Sequence, residues 1–147
     1  MAVFRLDSIA PAVAERFRRA PASGRRYAAL LACEHAAATV GLPMEEVDEA
    51  LAVLRGTTVP TPSLRERLEE LSAELDDEYF RSAEESDSTQ DPEALRLFSK
   101  ARATSALAFA LSTEDSALHE AIYEAIAALD DPTHVLRIVE QALSPER

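Results

Sequence analysis

The chain has 147 residues, with 15 basic and 27 acidic side chains, a net charge of −12 and a hydrophobic share of 47%. That share excludes global disorder, and a chain this long buries on the order of 70% of its unfolded surface without a disulfide or metal staple. The single cysteine, Cys33, excludes an intramolecular disulfide and any multi-cysteine metal site.

Alanine supplies 28 residues and glycine 3, while arginine outnumbers lysine 14 to 1. A GC-rich, bacterial-type composition is the simplest source of that bias. Selection of arginine for bidentate contacts is the sharper one. The first residues lack a basic leader followed by an apolar run, so no secretory leader is expected. No apolar stretch approaches the roughly 18–20 residues that span a bilayer, and a soluble cytoplasmic protein is expected.

Long segments show the helical period and none sustains strand alternation. Ser8 is placed to cap a first helix over about 9–19, with Pro11 in its first turn and Pro21 after its end. Ser23 is placed to cap a second helix ending near Gly41. This helix is apolar around most of its circumference and belongs in the middle. Leu42-Pro43 opens a third helix that ends at Gly56. Residues 57–62 form a short rigid linker, the one minor subdivision in an otherwise single domain over 1–147. A fourth helix runs from Pro62 to about Ala83. Its narrow seam of Leu64, Leu68, Leu71, Leu75 and Tyr79 lies along a charged rod.

Residues 84–90 are polar. Asp91-Pro92-Glu93 is a strong start for a fifth helix to Leu111, with an N-cap, a proline and an acid in order. Residues 112–115 cap a sixth helix, and Asp131-Pro132 opens a seventh that ends before Pro145. About seven helices joined by mostly short loops predict an all-α bundle of largely antiparallel neighbours, with the second and fifth at its centre. The alternative is a short α-solenoid of helical hairpins. Residues 124–132, Glu124-Ala125-Ile126-Ala127-Ala128-Leu129-Asp130-Asp131-Pro132, resemble the end of a tetratricopeptide helix. That family's repeat of about 34 residues does not recur here, and no family is assigned.

Catalytic chemistry finds little support. There is no nucleophile elbow and no phosphate-binding glycine loop, so no catalytic residue is named and an enzyme is less favoured than a binding protein. Glu34, His35, His119 and Tyr123 are candidates to line a pocket between central helices. A carboxylate held there would have a raised pKa. Equally, Glu34 and His35 fit the solvated edge of the second helix, and Cys33 fits its core. Asp115, His119 and Tyr123 share a stripe of the sixth helix and loosely echo a zinc-protease helix. The second metal histidine is missing, so no metal and no cofactor is expected. On that helix, Asp115 also suits the helix dipole and a pair with His119. His134 reads as a neighbour of the cap at Asp131.

The charges are unevenly spread. Residues 1–30 carry Arg5, Arg16, Arg18, Arg19, Arg25 and Arg26 against Asp7 and Glu15, a net of +4. Residues 61–90 carry ten acids and three arginines, a net of −7. Arg18, Arg19, Arg25 and Arg26 surround a helix start and are candidates to bind an anion. Internal pairing with the acidic fourth helix is the plainer use of them. The bulk charge argues against nucleic acid.

Glu66, Glu69, Glu70, Glu74, Asp76, Asp77 and Glu78 form a face that either keeps the chain soluble or steers a basic partner. The expected function is a non-catalytic protein-binding module of immunity, antitoxin or adaptor type that docks a basic protein. The alternatives are a small-molecule-binding helical protein or enzyme, and an oligomerising structural protein that dimerises through the leucine seam.

Overall fold

The computed structural model describes residues 4–42, 44–87, 91–112 and 114–144, except for the side chain of Asp115. Pro43 and Thr113, expected at two helix starts, lie outside the described residues.

The described residues form an all-α bundle of eight helices. They are α1 (Arg5–Ile9), α2 (Pro11–Arg19), α3 (Ala22–Val40), α4 (Glu45–Leu54), α5 (Leu64–Ser86), α6 (Pro92–Ala110), α7 (Leu118–Ala127) and α8 (Thr133–Ala142). A short 3-10 turn over Asp115–Ala117 leads into α7. No helix is long and apolar enough to cross a membrane, among the described residues.

The extra helix comes from Pro11. Its ring disfavours helical geometry in the residue before it, and Ala10 sits at φ −150° and ψ 69°. The expected single first helix therefore breaks into α1 and α2. Ser8 does not cap it, and its hydroxyl instead donates to the Arg5 carbonyl at 2.6 Å. Ser23 likewise lies inside α3, which begins at Ala22 after Pro21. The acid–proline starts behave as their chemistry requires. The Asp91 carboxylate accepts from the amides of Glu93 and Ala94. Asp131 accepts from the Thr133 amide at 3.0 Å. Gly41 closes α3 in the left-handed region at φ 72°.

Helices α3 and α6 are central. They pack on each other, and both pack on α7. Many of their buried positions carry only a methyl group: Ala28, Ala32 and Ala36 on α3, and Ala103, Ala106 and Ala110 on α6. Larger side chains, notably Phe17, Leu107, Leu118 and Ile122, fill the surrounding core. Helix α5 packs chiefly on α6 and runs antiparallel to it. Ser72 donates to the Ala101 carbonyl at 3.1 Å, while Tyr79, further along α5, meets Phe98, further back on α6.

Leu64, Leu68 and Leu75 of α5 are buried within the chain. These three leucines of the seam are therefore used inside the molecule, while Leu71 and Tyr79 are half-buried.

Candidate functional site

The outer face of α5 follows directly from its sequence. At about 3.6 residues per turn, Glu66, Glu70, Ala73, Asp77, Phe80 and Glu84 fall on one stripe, opposite Leu64, Leu68 and Leu75. All six stripe residues are exposed. Glu66, Glu70, Glu74, Asp77 and Glu78 have no ion-pair partner among the described residues. Glu69 pairs with Arg65 at 3.2 Å one turn away on the same helix.

Phe80 lies within this acidic stripe with 60% of its surface exposed. Its ring leans on Tyr79, which in turn meets Phe98 at 5.6 Å. Asp76 is different from its neighbours. It turns to α6 and accepts from the Arg102 guanidinium at 2.8 Å.

That contact is one end of a chain of charges across four helices. Arg102 also donates to both oxygens of Glu124 on α7, at 3.1 and 3.3 Å. Glu124 is only 3% exposed and accepts further from the Ser105 hydroxyl at 3.2 Å. Arg5 on α1 approaches Glu124 at 3.6 Å and binds Glu120 at 2.6 Å. Its guanidinium lies 4.2 Å over the Tyr123 ring, and the Glu120 hydrogen bond holds its pKa above the ordinary value. The neighbouring turn of α1 is bound in the same way. Asp7 pairs with Arg18 of α2, whose hydrogen bond, with that from the Phe4 amide, holds the Asp7 carboxyl below its usual range.

His119 is packed against this clasp. It stacks on Phe4 at 3.8 Å and meets the edge of Phe17 at 6.0 Å. Its Nδ1 lies 3.4 Å from Glu120 but makes no hydrogen bond. Burial pushes the imidazole pKa down, with Arg5 and Arg18 assisting and Glu120 and Asp7 opposing. The side chain of Asp115, the expected partner of His119, lies outside the described residues.

The four pocket candidates do not share a pocket. Glu34 sits at the edge of α3, paired with Arg55 after α4 at 2.5 Å. His35 faces His134 of α8. His119 and Tyr123 lie together, but against α1. Cys33 is fully buried, and desolvation with the nearby Glu34 charge pushes its thiol up to about 12, leaving it unreactive. A groove of about 690 Å³ lies elsewhere, between Thr39, Leu95, Ser99, Leu129 and Asp131.

The basic cluster finds its partners close by. Arg19 pairs with Glu15, Arg18 with Asp7 and Glu15, and Arg25 donates to the carbonyls of Phe17 and Arg18. These partners are on α1 and α2, not on α5. Arg26 is exposed.

Sequence reading passed over the Arg102–Glu124 pair. Its signal was there: charges of opposite sign, Arg102 and Glu124, set in two alanine-rich runs on helices expected to be adjacent. No family model, curated protein or solved structure matches this chain.

Proposed function

We propose that the chain is a non-catalytic, cytoplasmic docking module of immunity, antitoxin or adaptor type, and that the outer face of α5 receives a basic protein. The observation that carries this reading is the set of five exposed carboxylates without ion-pair partners among the described residues, on a face that ends in an exposed phenylalanine. Carboxylates left uncompensated on one rigid helix steer a cationic surface and raise its association rate at low salt. An exposed aromatic ring at the end of such a patch supplies an apolar anchor that charge alone lacks. Asp76 contributes to the fold, so binding rests on Glu66, Glu69, Glu70, Glu74, Asp77 and Glu78 with Phe80.

The test begins with capture by the immobilised chain. The captured protein is identified by mass, produced pure and titrated by calorimetry. Lys at positions 70, 74 and 77 is expected to weaken binding at least a hundredfold and to flatten its salt dependence. Phe80→Ala is expected to weaken binding while leaving the salt dependence intact. Unchanged affinity in both variants would remove this face from the function.

A further inference from the structure

We infer that His35 and His134 form a two-nitrogen site for a divalent late first-row transition ion, with Cu2+ preferred to Ni2+ and Zn2+. The sequence offers no such pair on one helix, and the fold creates it between two. Helices α3 and α8 pack directly, with Val135 and Val139 fully buried, which fixes the two backbones. The imidazole centroids stand 5.0 Å apart, with the ring planes at 56°. Two imidazoles each bound through one nitrogen at about 2 Å place their centroids about 5 Å apart when the angle at the metal is about 100°. The observed centroid spacing is that of such an arrangement.

The ring nitrogens are also uncommitted. Neither histidine makes a hydrogen bond or an ion pair among the described residues. His134 is exposed and His35 half-buried, so an ion reaches them from solvent. His119 is the contrast: its ring is enclosed by Phe4 and Phe17. No group of three or more His, Cys, Asp or Glu side chains among the described residues gathers around one point. The ion therefore has two protein ligands, and water fills its remaining positions. Imidazole donors suit copper, nickel and zinc, and the order of affinity among divalent ions places Cu2+ above the other two. The net charge of −12 raises the local concentration of any cation. This site is independent of the acidic face of α5.

The experiment titrates the purified full chain with Cu2+ and with Ni2+, read by calorimetry and by electron paramagnetic resonance. One Cu2+ per chain with two nitrogen donors is expected. His35→Gln and His134→Gln are each expected to weaken binding at least tenfold and to reduce the nitrogen count to one. His119→Gln is expected to bind as the parent does. A readout that needs no variant is paramagnetic broadening by Cu2+ of backbone signals. It should appear first around His35 and Thr39 on α3 and around His134 and Arg137 on α8. Equal binding by all three variants, or broadening centred on the acidic face of α5, would overturn the assignment.

Discussion

Glu124 and Glu74 are both glutamates on helices of this bundle, yet their surroundings differ completely. Glu124 is enclosed by Arg102, Ser105 and Arg5, and its carboxylate has exchanged water for fixed donors. Glu74 stands in solvent without a partner among the described residues. The first has been desolvated and depends on its partners; the second keeps its hydration and remains free to meet another molecule. A net charge of −12 hides that distinction, because it adds clasped and open carboxylates together.

Removing one member of the clasp is the most severe way to break the comparison. Glu124→Ala is expected to lower stability by about 3 kcal/mol, since it leaves the Arg102 guanidinium, whose Nε already lacks a partner, held by Asp76 alone. The midpoint of urea unfolding at constant slope measures it. A loss below about 1 kcal/mol would mean that Glu124 is effectively hydrated, and the contrast with α5 would collapse. Pairing Arg102→Met with Glu124→Leu sharpens the same point. The double variant is expected to recover to within about 1 kcal/mol of the parent, because apolar side chains of similar volume replace a buried ion pair at little cost.

A smaller effect comes from acid. His119 and Asp7 both have folded pKa values below their ordinary ones of 6.5 and 3.8, so the unfolded chain binds more protons than the folded chain in each window. Stability therefore falls as pH drops. The His119 contribution is complete above the ordinary imidazole pKa and declines below it. The Asp7 contribution is complete above the ordinary carboxyl pKa and is lost as pH falls through the lower folded value. Thermal unfolding from pH 8 to pH 3 should show both declines, and His119→Gln should flatten the first alone.

Asp91→Ala removes a cap whose oxygen accepts from two amides, and a loss of about 1 kcal/mol is expected by the same urea measurement. The smallest change belongs to the open face. Glu74→Lys is expected to move stability by no more than about 0.5 kcal/mol in either direction. A larger loss would show that Glu74 itself is engaged in holding the fold.

Local chemistry explains how much of this was legible in the sequence. Asp91-Pro92 and Asp131-Pro132 announce helix starts because the cap oxygen and the proline act within three residues. The centrality of α3 was readable from a circumference that is apolar over most of its extent. Pro11 was ambiguous, since proline suits the first turn of a helix and also breaks one that has already begun. Here it does both, starting α2 while ending α1. The acidic stripe was legible, but the inward turn of Asp76 was not, because Arg102 lies on another helix. The same limit hid the Arg102–Glu124 pair and the approach of His35 to His134. In both, the decisive neighbour is set by tertiary packing.

The alanine faces of α3 and α6 set the direction in which this protein can change. A contact made of single methyl groups has little to lose when a residue shrinks. Ala→Gly in either helix gives up one methyl and about 1 kcal/mol of helix propensity. It has no room to gain, since Ala32 and Ala106 are fully buried and a leucine at either must displace the packed neighbours around it. Sequence drift at the centre is therefore one-sided, and variation will collect on the outer helices, where the docking face is found.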